Sequence, residues 1–485
     1  MAPYGLGKVK IALELSVTNI SKGKVTLCLL AVFGWIAPAA AAIDSVTVNK
    51  TRPYEKAAGY TYAEITIAGS VRRTDSVGQY SVPAVIIYPR NRCGNDVGVV
   101  DWLNSAALHF FPETTGEFST IDFTLASTGN HLFEEGYTYL SIQWNKLVTD
   151  RFGPKAPQDN YDHNHLVYGS IEHGADAWEI LLDAARLLKN PSKFPGKNRP
   201  ARVDTVLSSG YSQGGALQLE LLAEGLDPKR VYDGHFIQMI GFQCWKRDDS
   251  EPHFGFPGDC ARLPAPGQHA PVVMLVSESD MLAAKRLGFG KGAYFARNST
   301  DPSWRQYEMA GVSHIPEPIV ALGLPNQNKA DPRPLFRAAF DNLARWARGG
   351  RHGNKPPPAR YFEGYVDAND EFIAMKDDDG HFVGGVRLPH VKSQVQGRVA
   401  GAPLGNHGPL NEVVPFNPFV LLGGTFERFE DSELLARYPT RHGYVKRVKR
   451  AADELADKDY ITRKDRRALI EAAEHEPLYA SDRVN

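Results

Sequence analysis

Residues 203–226 read VDTVLSSGYSQGGALQLELLAEGL, and this stretch decides the fold. Its first part, Val203–Gly210, is apolar and closes on small residues, as a strand buried on both faces does. Its last part, Gly214–Leu226, repeats apolar residues at helical spacing. Between them lies Gly210-Tyr211-Ser212-Gln213-Gly214, a G-x-S-x-G pattern in a strand–turn–helix context. Such a passage needs a sharp turn, and its glycines remove side chains where the backbone crowds itself. A helix that starts right after the serine aims its unpaired N–H groups at the space before the hydroxyl, where an oxyanion can be held. The competing reading is a tight turn whose serine caps a helix. The strand before and the helix after favour a nucleophilic Ser212.

The same alternation runs outward on both sides. Apolar runs at Tyr80–Tyr88, Val97–Asn104, Gly136–Trp144, Phe236–Gly241 and Val272–Ser277 predict strands. Ala175–Leu188 predicts a helix, with Trp178, Leu181, Leu182, Ala185 and Leu188 on one face and Asp176, Glu179, Asp183 and Arg186 on the other. Strand and helix in alternation predict an α/β class, with a mostly parallel twisted sheet and helices on both faces.

A serine is a weak nucleophile without a base and an acid that orients the base. Downstream, the strand Val272–Ser277 runs into Glu278-Ser279-Asp280, which places a carboxylate just past the strand's C-terminal end. Asp280 is the preferred acid and Glu278 the alternative; either can also be a turn or helix cap. The base candidate is His314, in Ala310-Gly311-Val312-Ser313-His314, after a predicted strand at Arg305–Met309 and before a predicted helix at Pro334–Arg348. The oxyanion hole needs two N–H donors. The amide of Gln213 is the first, and the loop after Val97–Asn104 offers Ser105 as the second. Tyr211, Trp144, Trp102 and Phe110 are pocket candidates, although aromatics beside strands are more often core. His163, His165 and His173 precede the serine in a polar loop, without a defined metal-ligand spacing. This chemistry requires neither cofactor nor metal.

The 485 residues are 42% hydrophobic and 23% charged, which excludes global disorder, collagen and coiled coil. With 55 Lys+Arg against 56 Asp+Glu the net charge is −1, so the basic excess of a nucleic-acid partner is missing. Residues 26–41 (TLCLLAVFGWIAPAAA) follow Lys22 and Lys24 and close on alanines before Ile43. That layout predicts a signal peptide over residues 1–42, and hence a periplasmic or extracellular protein. The alternatives are an uncleaved anchor or a core helix, but the run is short for a membrane span, and no other run could form one. In an oxidising compartment Cys244 and Cys260 are candidates for a loop-stapling disulfide; free buried thiols are the alternative.

Domain organisation follows from composition. Residues 43–348 predict the catalytic domain. Residues 349–360 (GGRHGNKPPPAR) read as a linker. Residues 361–485 begin β- and turn-rich, with a hairpin turn expected at Asp379-Gly380, and end in charged helices. Gly384-Gly385-Val386-Arg387-Leu388-Pro389 reads as a glycine turn whose arginine ties this segment to the body, in preference to a functional loop. Asp377–Asp379 lacks the further ligands of a Ca²⁺ loop.

The GYSQGG segment, DWLNS (101–105), WEILLDAARLL (178–188), QYEMAGVSH (306–314) and the C-terminal GGVRLP and LGGT (422–425) together resemble the large bacterial α/β-hydrolase-domain proteins. The likeness covers about residues 80–475. It implies an α/β-hydrolase fold whose C-terminal segment packs back onto the catalytic domain. It implies hydrolysis without fixing a substrate. Asp101 departs from the glutamate more usual at that place, and against the family's pattern residues 243–269, which hold Cys244 and Cys260, look like a local insertion of the lid type. The expected activity is hydrolysis of a small carboxylic ester by Ser212, His314 and Asp280. The alternatives are acyl transfer, lactone or amide cleavage by the same residues, or a binding module without catalysis.

Overall fold

Two antiparallel strands that the apolar runs do not announce begin the fold. A computed structural model of the chain describes residues 42–72, 77–90, 94–103, 123–142, 174–196, 199–240, 267–281, 297, 301–319, 321, 326–349, 354–368, 372–393, 397–400 and 422–478. All of these belong to one unit of the chain, Ala39–Asn485. Nine strands form one sheet: β1 (Ala42–Pro53), β2 (Tyr60–Arg72), β3 (Val77–Pro89), β4 (Val97–Trp102), β5 (Thr138–Ile142), β6 (Thr205–Tyr211), β7 (Gly234–Gln238), β8 (Val272–Ser277) and β9 (Trp304–Met309). Their order is β1-β2-β3-β5-β4-β6-β7-β8-β9. The first three strands and the β3–β5 pair are antiparallel. From β5 to β9 every pair is parallel.

The parallel strands are largely apolar because both faces are covered. In β4, Val97 and Val99 join one core and Val100 and Trp102 the other. In β8, Val273 and Leu275 oppose Val272, Met274 and Val276 in the same way. Helices α1 (Phe123–Thr128), α2 (His131–Glu134) and α5 (Arg333–Arg348) cover the first core. Helices α3 (Gly174–Lys189) and α4 (Gln213–Ala223) cover the second. In α3 the predicted apolar residues Leu181, Ala185 and Leu188 are fully buried, but Asp183 of the predicted polar face is buried too, where its carboxylate accepts from the Tyr80 hydroxyl at 3.0 Å and from Arg186 at 2.7 Å. Each large apolar side chain of this kind contributes roughly 1.5–3 kcal/mol when fully removed from water.

At the other end, β1 is an edge strand, exposed except around Val46 and carrying Asp44, Lys50 and Arg52. Charges of this kind blunt an open edge. The β9 edge is covered by the C-terminal segment. Arg360 pairs with Tyr307 and Val386 with Met309, both in parallel. The Glu308 N–H donates to the Arg360 carbonyl at 3.0 Å, and the Val386 N–H to that of Glu308 at 2.6 Å. Val386, Leu388, Val391, Leu455 and Tyr460 enter the same core as Val99 and Phe340. This segment adds β10 (Gly364–Val366), β11 (Phe372–Ala374), α6 (Pro389–Lys392), β12 (Gly397–Ala400), β13 (Thr425–Arg428), α7 (Asp431–Arg437), α8 (Arg441–Asp457) and α9 (Arg463–His475). Thr440 and Thr462 cap the last two helices by accepting the N–H groups of Gly443 and Asp465. Lys376 and Phe382 pair across the turn at Asp377–Gly380, where Gly380 has φ +83°. Among the described residues no helix is long and apolar enough to cross a membrane.

Candidate active site

Ser212 stands between the end of β6 and the first residue of α4, with φ +54° and ψ −109°. A positive φ is costly for a residue that has a Cβ, and such strain is found at nucleophiles. Two hydrogen bonds and the burial of its neighbour hold it. The Ser212 N–H donates to the Gln238 carbonyl at 2.9 Å, its carbonyl accepts from Ala216, and Tyr211 ahead of it is fully buried. The glycines answer to distance. A Cβ on Gly214 would lie 2.0 Å from the Trp102 carbonyl oxygen, and one on Gly210 would lie 2.5 Å from the Gly214 carbonyl carbon. The helix entry can therefore come this close to β4 only without those side chains.

Asp280 and His314 lie past the C-terminal ends of β8 and β9, on the sheet edge where Ser212 sits. His314 Nε2 is 3.0 Å from Ser212 Oγ, and its Nδ1 is 2.6 Å from Asp280 Oδ1. Asp280 is fully buried and His314 nearly so, while Ser212 is half-buried. The other oxygen of Asp280 accepts the Ser277 N–H at 2.9 Å and the Ser277 hydroxyl at 2.7 Å. Three residues remote in sequence thus form one chain of hydrogen bonds, Ser212–His314–Asp280.

Glu278 goes elsewhere. Its Oε1 accepts the Phe382 N–H at 2.7 Å, and its own N–H donates to the Val312 carbonyl at 3.0 Å. Three further groups hold His314 and Asp280, and of these only Tyr211 is a candidate from the sequence, as a pocket residue. Ser279 Oγ accepts the His314 N–H at 2.6 Å. The Tyr211 hydroxyl donates to the His314 carbonyl. Burial, and then the charge of Asp280, push that hydroxyl well above its ordinary pKa, so it stays protonated and able to donate. The third is Ser277. The alternation in Ser277-Glu278-Ser279-Asp280 is the one signal that points to the two serines: closely spaced short hydroxyl and carboxyl groups favour local backbone hydrogen bonds. Tyr211 and Trp102 belong to the core: Tyr211 stacks on Phe123 with centroids 4.4 Å apart, and Trp102 donates to the Tyr232 hydroxyl at 3.1 Å.

A buried polar network lies beneath the elbow. The Asp101 carboxylate accepts from the Thr124 hydroxyl at 2.9 Å and the Tyr139 hydroxyl at 2.6 Å. The Gln238 side chain donates to Ser209 Oγ at 2.7 Å and to Thr124 Oγ1 at 3.1 Å, and accepts from Ser127 at 2.9 Å. Gln238 therefore anchors Ser212 through its carbonyl and is itself fixed through its amide.

The GGVRLP turn has φ +84° at Gly384 and +64° at Gly385. Arg387 binds the Asp377 carboxylate at 2.5 Å and the Phe382 carbonyl at 2.8 Å, so it ties the C-terminal segment to itself; the tie to the body is the backbone of Val386. Asp379 pairs with Arg437. Among the described residues no group of three or more His, Cys, Asp or Glu could hold a metal ion. Ser105, Trp144, Phe110, His163, His165, His173, Cys244, Cys260 and most of 243–269 lie outside the described residues.

No curated protein sequence matches the chain. Among solved structures, a glucuronoyl esterase from Teredinibacter turnerae is 14% identical over 54% of this chain and 74% of that one, with a TM-score of 0.30. A glucuronoyl esterase from Solibacter usitatus is 13% identical over 50% and 71%, with a TM-score of 0.27. A cold-adapted esterase from an Arctic intertidal metagenomic library is 11% identical over 54% and 88%, with a TM-score of 0.29. Scores this low carry no argument, so the assignment rests on the family model described as alpha/beta hydrolase domain, which matches residues 56–471. The chain belongs to that alpha/beta hydrolase domain family.

Proposed function

We propose that the protein is an exported serine hydrolase that cleaves a small carboxylic ester through an acyl-enzyme. The observation that carries this is the unbroken hydrogen-bond chain from Ser212 Oγ through both nitrogens of His314 to Asp280. A neutral imidazole donates Nδ1–H to Asp280 and accepts the Ser212 hydroxyl proton at Nε2. Ser212 Oγ then attacks the ester carbonyl. The oxyanion is held by the Gln213 N–H at the start of α4 and by a second N–H donor, for which the sequence offers Ser105. The tetrahedral intermediate collapses as His314 returns the proton to the leaving alkoxide. Water, deprotonated by the same imidazole, releases the acid product. The signal-like residues 26–42 support export.

A fluorophosphonate probe together with a panel of esters of graded acyl and alcohol size tests the reading. Labelling and turnover in the wild type and neither in Ser212→Ala are expected. Turnover that persists in Ser212→Ala would sink it. Mass analysis of the mature N-terminus checks export: cleavage near residue 42 is expected.

A further inference from the structure

We propose that Glu278 is a positioning residue through which the C-terminal segment holds the two loops of the active site in register. This inference rests on the triad reading above. The acid loop Ser277–Asp280 carries four side chains, and each has a role in the site. Ser277 donates to Asp280, Asp280 meets His314, and Ser279 accepts the His314 N–H. Glu278, 1% exposed, reaches the other way and accepts the N–H of Phe382 at 2.7 Å. Phe382 is seated edge-on against Phe362, with centroids 5.1 Å apart, so the donor does not drift.

The base loop is fastened to the same segment from its other side. The Ile315 N–H, next after His314, donates to the Leu422 carbonyl at 2.8 Å. The Asn328 N–H donates to the Gly423 carbonyl at 3.0 Å, and its side-chain amide to the Gly311 carbonyl at 2.9 Å. The Glu278 N–H closes the loop on Val312 at 3.0 Å. Residues 382 and 422–423 thus bracket the acid and the base. Misplacing reacting groups by about 1 Å can cost about a hundredfold in rate. A bond that sets the Asp280–His314 register therefore acts on turnover rather than on substrate binding.

The experiment compares Glu278→Gln, Glu278→Asp and Glu278→Ala in the full chain, with Ser212→Ala as control. Activity on a small soluble p-nitrophenyl ester is divided by the sites titrated with a fluorophosphonate. Glu278→Gln keeps an acceptor oxygen at the same reach and is expected within about threefold of wild type. Glu278→Asp withdraws the oxygen by one methylene and Glu278→Ala removes it. Both are expected to lose kcat per titrated site by about tenfold to a hundredfold at unchanged KM. A merely structural contact would change the fraction folded and leave kcat per titrated site alone; that result overturns the proposal. Glu278→Gln as impaired as Glu278→Ala overturns it too, since the charge and not the bond would then matter. Where Glu278→Ala does not fold, Glu278→Asp against Glu278→Gln decides. Turnover surviving in Ser212→Ala overturns the triad reading itself, and this inference with it.

Discussion

Ser212 holds its hydroxyl toward His314 at the expense of its own backbone. At φ +54° a side chain costs about 1–3 kcal/mol, and the Gln238 and Ala216 hydrogen bonds enforce it. Ser212→Gly is therefore expected to be inactive yet more stable than wild type by about 1 kcal/mol in denaturant titrations, and Ser212→Ala inactive without that gain. Single removal of Ser212 or His314 should lower kcat about ten-thousandfold or more. Asp280→Asn should lower it about a hundredfold to ten-thousandfold, with Glu278→Gln near wild type; the reverse pattern would exchange the two carboxylates. A second prediction concerns stability. His235, fully buried and 2.8 Å from Ser208 Oγ, has its pKa lowered to about 3 by burial and then by the charge of His269. The folded state binds fewer protons there than the unfolded chain, whose histidine titrates near 6.5. Stability is therefore retained above about pH 6.5 and declines as pH falls toward 3, by up to about 1.4 kcal/mol per pH unit from this group. Thermal melts across that range should show the slope reduced by one proton in His235→Gln.

The passage from β6 into α4 works because two elements approach more closely than side chains allow. Gly214→Ala sets a Cβ 2.0 Å from the Trp102 carbonyl oxygen, a backbone atom that can yield only if β4 moves. A loss of about 3 kcal/mol or more is expected in chemical denaturation, with activity lost in whatever remains folded. Elements of this kind were legible in the sequence. Val272–Ser277 is the predicted strand to the residue, and Gly174–Lys189 extends the predicted helix by one residue at each end. The strand expected at Gly136–Trp144 begins two residues later, at Thr138, and the described residues carry it to Ile142. The β1–β2 hairpin was not legible. In β1 only Val46 is buried, so its residues carry no period to follow. Its strand character comes from ten paired positions against β2.

The C-terminal segment shares a core with the sheet. Val386, Leu388, Leu455 and Tyr460 pack among residues of β4, β7 and α5, and Arg360 and Val386 close the β9 edge. A chain ending at residue 348 would bare that edge and that apolar surface. It is expected to be insoluble or to melt far below the full chain, and soluble expression with circular dichroism checks this. The charged helices 431–475 illustrate how far composition reaches. Their mixed charges read as a solvated face, and α8 does present one, yet Tyr444, Val448, Ala452 and Leu455 form a buried stripe along it. By itself the sequence determined the α/β class and the strand–turn–helix passage at Ser212, because these follow from local periodicity and from glycines where the chain turns sharply. Tertiary structure alone decided which carboxylate faces His314. Glu278 and Asp280 are two residues apart and chemically alike, and only packing turns one toward the imidazole and the other toward Phe382. It also decided that distant residues 382 and 422–423 brace the loops, since a backbone N–H or carbonyl leaves no trace in the identity of the residue that carries it.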